Sequence, residues 1–206
     1  FETKPLFGKT FVVTRARAQA SALTSRLEKE GAGVLEVPSI KIAEPDSFAP
    51  LDEAQKNLKQ YSWILFTSAN GVDLFFDRLF QNGKDARALA DCKLVAIGSA
   101  TADMLNAYGL LADLVPASYK AEDLTKTLLP QLKQGEKVLL ARAKEARNVL
   151  PDALKKASVQ VDVVPVYQTV ADCENKAELV AALKNKAVDC ITFTSSSTVT
   201  YLLKAL

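Results

Sequence analysis

The sequence predicts an α/β protein of two similar lobes, each a parallel sheet flanked by helices, joined by a two-stranded connection with a cleft between the lobes. Three observations carry this. Short β-branched runs alternate with helical patterns along the whole chain, the order that produces parallel sheets covered by helices. The tripeptide Phe-Thr-Ser ends a strand pattern and opens a helix pattern twice, at Phe66–Ser68 and Phe193–Ser195, 127 residues apart. The same offset lays Gly8–Ala16 over Gly135–Ala143, and Leu23, Leu27, Val34, Val37 and Pro38 over Leu150, Leu154, Val161, Val164 and Pro165. One register holding over separated stretches marks a duplicated unit.

In order along the chain, Thr10–Thr14 is a β-branched run and reads as the first strand. A helix follows, with Leu23 and Leu27 on one face and Gly31 as its stop signal. Val34–Ile42 is extended, with Pro38 inside it, and Pro45 closes it. Ile64–Phe66, Leu94–Ile97, Leu114–Val115, Val138–Ala141, Val161–Val166 and Cys190–Phe193 are the remaining strand candidates. Between them the pattern predicts helices near Gly71–Gln81, Thr101–Tyr108, Ala121–Leu132, Arg147–Lys156 and Lys176–Lys184.

Val34–Pro45 and Val161–Asp172 occupy equivalent places, and each carries a Val-Pro where a strand is expected. Proline cannot donate to a ladder, so these are expected to be edge or connecting strands. If both connect lobes, residues 34–45 and 161–172 are the links. Residues 1–44 with 173–206 then form one discontinuous lobe, and residues 45–160 the other. The chain begins at Phe1, with FETKPLFGK reading as a linker, and ends at Leu206 within an amphipathic helix. The first repeat continues through Ile97–Ala102 to Tyr119, and the second has no room for a counterpart. The repeat therefore predicts about 40–55 further residues beyond the C-terminus.

A net charge of +2, without any Lys/Arg run, argues against a dedicated nucleic-acid surface. No stretch approaches the roughly 20 apolar residues of a membrane span, and no signal-peptide pattern opens the chain. A cytoplasmic protein is expected. Cys92, Cys173 and Cys190 share no metal-like spacing and read as reduced structural thiols. The chain has no histidine, which excludes a Ser-His-Asp triad, a Cys-His pair and a histidine metal site. Neither phosphate-binding glycine motif occurs. No metal and no cofactor are expected.

The loops that end strands are where chemistry could sit. Phe-Thr-Ser-Ala-Asn-Gly, Phe-Thr-Ser-Ser-Ser-Thr and Ile-Gly-Ser-Ala-Thr-Ala each pass from strand to helix. Their hydroxyl residues can cap the helix, and the free N–H groups there attract carboxylate or phosphate. Any one alone reads more plainly as a cap. Three together at strand ends fit a ligand site, because open α/β sheets bind ligands there. Arg15 and Arg142 end equivalent strands and are either anion contacts or ordinary surface charges, whereas Arg17 and Lys144 read as solvated charges. Tyr167 stands where the other repeat has Ile40. Packing is the common fate of a strand tyrosine, and a cleft-facing hydroxyl that donates to a leaving group is the alternative.

With those motifs in place, the chain resembles the uroporphyrinogen-III synthase family. Thr-Arg-Ala-Arg, Ile-Leu-Phe-Thr-Ser-Ala-Asn-Gly-Val, Ala-Ile-Gly-Ser-Ala-Thr-Ala, Pro-Val-Tyr-Gln-Thr and Ile-Thr-Phe-Thr-Ser-Ser-Ser-Thr-Val occur in the family's order, over nearly the whole chain from Gly8. The resemblance implies a cofactor-free lyase that closes hydroxymethylbilane to uroporphyrinogen III. Water leaves, an azafulvene forms, and the last pyrrole is inverted through a spiro intermediate. It implies Tyr167 as the residue assisting hydroxyl departure. It implies loops carrying Thr67, Ser68, Asn70, Ser99, Thr101, Ser195, Ser196 and Ser197 as holders of the substrate's acetate and propionate groups. The substrate is a linear tetrapyrrole with eight carboxylates, and no nucleic acid or membrane is expected as a partner. A monomer is expected, and the opening FETKPLFGK resembles the junction where this domain follows a uroporphyrinogen methyltransferase. Two other readings compete: a two-lobed protein that clamps an anionic ligand without altering it, and a sugar-phosphate enzyme, which the lack of histidine weakens.

Overall fold

The computed structural model describes residues 3–15, 17–116, 121–172 and 174–206. Ala16, Tyr119 and Cys173 lie outside the described residues, as does the side chain of Arg17. In chain order the elements are β1 (Thr10–Val13), α1 (Arg17–Lys29), β2 (Gly33–Glu36), β3 (Ile40–Ala43), α2 (Ala49–Lys56), β4 (Trp63–Phe66), α3 (Ala69–Gln81), β5 (Lys93–Ala96) and α4 (Ser99–Ala107). They continue with α5 (Ala121–Leu128), β6 (Lys137–Ala143), α6 (Val149–Lys156), β7 (Gln160–Ala171), α7 (Lys176–Lys184), β8 (Cys190–Thr192) and α8 (Ser196–Ala205).

The chain divides into two compact units, one of Phe1–Ala43 with Thr169–Leu206 and one of Glu44–Gln168. In the first unit β2, β1 and β8 form a parallel sheet in that order. Val12, Val37, Leu179 and Leu202 make its buried core, with Leu35, Val188 and Ile191 packed against them. Val37-Pro38-Ser39 interrupts the expected 34–42 run, so the extended segment becomes β2 and β3 with a break between. Backbone bonds from Val37 to Val13 and from Ser39 to Thr14 still hold the break against β1.

In the second unit β7, β6, β4 and β5 lie side by side, all in parallel register. Every residue of β4 is buried, which is why Trp63-Ile64-Leu65-Phe66 reads as a continuous apolar run. Trp63 and Leu65 join Val138, Leu140, Leu124, Leu128, Leu150 and Leu154 in a core on the face covered by α5 and α6. Phe66 meets the opposite helix, α3, edge-to-face with Phe75 at 5.3 Å between ring centres. The α2 helix is not among the expected helices. Its two buried aliphatics, Leu51 and Ala54, are too few to mark a helical face by spacing.

Pro165 lies in the part of β7 that belongs to the second unit, where its partner strand is β6. The register opposes Arg142 to Pro165 and then Ala143 to Tyr167, so Val166 is an extra residue in a bulge. A bulge removes the donor that a regular ladder would require of the proline and re-aims the residue that follows. That residue is Tyr167.

Candidate functional site

In the second unit parallel pairing brings the carboxyl ends of β4, β5, β6 and β7 to one sheet edge. Ligand sites of open α/β sheets lie at this edge. Thr67 and Ser68 follow β4, Gly98 and Ser99 follow β5, and Tyr167 stands opposite the last residue of β6.

Ser68 is the N-cap of α3. Its extended backbone (φ −161°, ψ 156°) lets Oγ accept the N–H of Gly71 at 3.0 Å. The same oxygen lies 3.0 Å from the hydroxyl of Tyr167, and either group can donate. Tyr167 is 7% exposed. Burial pushes its phenol above the ordinary value of 10.0, the Ser68 bond pulls it back, and the charge of Glu145 adds to the rise. The phenol is therefore protonated at neutral pH and can act as a donor, not as a base. Thr67 and Asn70 flank this pair, each half-buried.

The β5 end is built differently. Gly98 is the N-cap of α4, at φ 97°, with no side-chain cap. That left-handed backbone suits glycine, and it places Ser99 in the first helical turn with its side chain exposed. Thr101 is buried, and its hydroxyl donates to the Ile97 carbonyl at 3.3 Å. Its hydroxyl is thus engaged within the helix.

Arg142 is 3% exposed. Its register puts it on the face of β6 that carries Val138 and Leu140, while Ala143 and Tyr167 share the other face. Its Nε donates to the Ala143 carbonyl at 3.3 Å, and among the described residues no carboxylate pairs with it. Burial accordingly pushes the guanidinium below its ordinary value. Arg142 is thus separate from the Tyr167–Ser68 pair. Lys144 is held by its backbone N–H to the Tyr167 carbonyl and by its ammonium to Asp46. Gln168 donates to the same Asp46 and to the Glu44 carbonyl.

In the first unit Arg15 is exposed just after β1. Ser195 caps α8 in a reciprocal box with Thr198, and its Oγ lies 2.8 Å from that of Ser197. Ser195 and Ser196 are exposed, and Ser197 is half-buried. A hydroxyl ladder not singled out from sequence fixes these strand ends. Thr14 donates to the Thr192 carbonyl at 2.7 Å, Thr192 to Val12, and buried Ser39 to the Thr198 carbonyl at 3.1 Å. Nothing in their local spacing distinguishes these hydroxyls from ordinary strand and loop residues.

Cys92 donates to the Tyr61 carbonyl, and burial pushes its thiol up to about 11, which makes it unreactive. No helix among the described residues is long and apolar enough to cross a membrane.

Residues 21–206 match the family model described as uroporphyrinogen-III synthase HemD. The chain is 35% identical over 199 residues to a porphyrin biosynthesis protein HemD of Ruminiclostridium josui, covering 97% of this chain and 40% of that protein. It is 34% identical over 197 residues to a uroporphyrinogen-III synthase of Synechococcus elongatus, covering 95% and 74%. The chain thus spans well under half of the first relative and about three quarters of the second. Among solved structures, a mutant uroporphyrinogen III synthase of Thermus thermophilus aligns with a TM-score of 0.71 at 22% identity, covering 96% of this chain and 77% of that one. The uroporphyrinogen-III synthetase of Helicobacter pylori aligns with a TM-score of 0.61 at 16% identity, covering 96% and 78%. At these identities the two structures speak for the fold.

Proposed function

The chain belongs to the uroporphyrinogen-III synthase family, and from that premise we propose that it closes hydroxymethylbilane to uroporphyrinogen III with loss of water. The observation that carries the reading is the buried Tyr167–Ser68 hydroxyl pair at the carboxyl edge of the second unit's sheet. A protonated phenol there suits a reaction whose first need is a proton for a departing hydroxyl.

The carbon–oxygen bond of the terminal hydroxymethyl group breaks as the pyrrole nitrogen supplies electrons. The Tyr167 proton goes to the leaving oxygen, which departs as water. The resulting azafulvenium carbon is attacked by the last pyrrole at the α-carbon that already bears its methylene bridge, giving the spiro intermediate. That bridge bond then breaks to a second azafulvenium, which closes on the pyrrole's free α-carbon, and the proton expelled there as aromaticity returns restores the phenol. Folding the bilane so that attack gives inversion is a positioning task. Thr67, Asn70, Ser99, Ser195, Ser196, Ser197 and Arg15 are proposed contacts for the carboxylates, with the N–H groups at the starts of α3, α4 and α8. Arg142, buried on the other face of β6, is not among them. Thr101 contributes through the fold of its helix turn, since its hydroxyl is already engaged.

A monomer, a cytoplasmic location and a methyltransferase fused ahead of this domain belong to the same reading. The test is to feed hydroxymethylbilane and separate the isomers of the product. The uncatalysed reaction gives uroporphyrinogen I, so an excess of isomer III is expected. A product mixture identical to the blank overturns the assignment.

A further inference from the structure

We infer that Ser68 and Gly71 are positioning residues that hold the Tyr167 proton in the direction of the leaving group, an inference that rests on the proposed synthase reading. A serine hydroxyl has one proton and two acceptor sites. The Gly71 N–H occupies one acceptor site of Ser68 at 3.0 Å. When the remaining proton goes to the Tyr167 oxygen, the phenol's own proton is left to point away from α3. As that proton leaves, the bond from Ser68 strengthens, because it now donates to a developing phenolate. The reverse arrangement, with Tyr167 donating to Ser68, would spend the proton on the protein.

Gly71 sets this geometry. A Cβ built there would lie 3.2 Å from Ser68 Oγ, 3.7 Å from the Ala141 carbonyl oxygen and 3.8 Å from a Val166 methyl carbon. The start of α3 therefore rests closely on β6 and on the bulge residue of β7, and a methyl group would press first on the serine. That close approach brings Ser68 within bonding distance of Tyr167, and the bulge at Val166 turns the phenol toward it. The effect of Gly71 on the phenol passes through Ser68.

The experiment measures isomer III turnover, thermal midpoint and the Tyr167 ring-carbon resonance at neutral pH. The proteins are the parent, Ser68→Ala, Ser68→Thr, Gly71→Ala, Tyr167→Phe and the double variant Ser68→Ala with Tyr167→Phe. Ser68→Ala is expected to lower kcat about tenfold or more with KM little changed, the scale of one lost hydrogen bond to a developing charge. Ser68→Thr keeps the hydroxyl and restores most of the rate. Gly71→Ala is expected to lower kcat because its methyl presses on the Ser68 hydroxyl, with little change in thermal midpoint as the gain in helix preference offsets the disturbed cap. In the Tyr167→Phe background, Ser68→Ala should cost nothing more. Losses that multiply in the double variant would show Ser68 acting on substrate independently and would overturn the inference. An unmoved Tyr167 resonance in Ser68→Ala overturns it too, whatever the turnover shows. A parent that forms no excess of isomer III removes the synthase reading, and the inference with it, and is distinguishable because it is seen before any substitution.

Discussion

Replacing Tyr167 by phenylalanine removes one oxygen from a side chain that is 7% exposed and leaves its ring in place. The oxygen's side-chain partner is Ser68 at 3.0 Å, and Ser68 keeps its bond to the Gly71 N–H after the change. No buried group is orphaned, so the stability cost is that of one net hydrogen bond, about 1 kcal/mol. For a chain of this size that moves the thermal midpoint by about 2–4 °C. Activity should respond far more. A positioned general acid contributes roughly 10²–10⁴-fold. Burial raises the phenol further from neutral pH, which weakens it as an acid and places the expected loss at the low end. A fall in kcat of about 10²-fold, or about 2.7 kcal/mol in the barrier, is the expected result. Turnover should not vanish, because the pyrrole nitrogen still expels the hydroxyl and binding still folds the bilane. The assay is timed quenching with hydroxymethylbilane, oxidation of the products to porphyrins and separation of isomers I and III. A rate within about twofold of the parent, in a variant with the expected thermal midpoint, would refute a proton-donating role.

Two further outcomes concern the scaffold. Phe75 is fully buried against Phe66, so Phe75→Ala should destabilise by about 3–5 kcal/mol, read as a lower urea midpoint; a loss under about 1 kcal/mol would contradict a packed α3–β4 contact. Asp52 is held below its ordinary 3.8 by hydrogen bonds from Arg78, with burial opposing and Asn82 assisting. Its folded value is depressed, so its contribution is fully present above the unfolded value and is lost as pH falls through the folded one. The stability gap between parent and Asp52→Asn should therefore be constant at neutral pH and close below about pH 4; a gap that persists in strong acid would show that the ion pair is not its source.

Much of this architecture is legible in local pattern. β4 reads correctly because four consecutive buried residues leave no alternation to mislead. The α3 and α8 starts read as capped because Ser68 and Ser195 have the residue type and spacing that free N–H groups need. The α4 start shows the limit of such reading. Ser99 and Thr101 resemble the other two loops in composition, yet Gly98 takes the cap position and Thr101 turns inward. Pro165 shows a different limit. Its missing donor can be met by an edge or by a bulge, and the bulge shows only in the partner strand's register. Arg142 is legible as a strand-end cation, but not as a buried one on the face opposite Tyr167.

Read without coordinates, the chain already contains the alternation of strands and helices, the duplication at 127 residues and the residue types at the strand ends. Those follow from periodicity, β-branching and capping, each a property of a few neighbouring residues. Which hydroxyls meet is settled by the folded chain alone. Ser68 and Tyr167 are 99 positions apart, and their 3.0 Å contact depends on a glycine in α3, a parallel register and one bulged residue acting together. Distances of that kind are set by packing between elements, and no local signal encodes them.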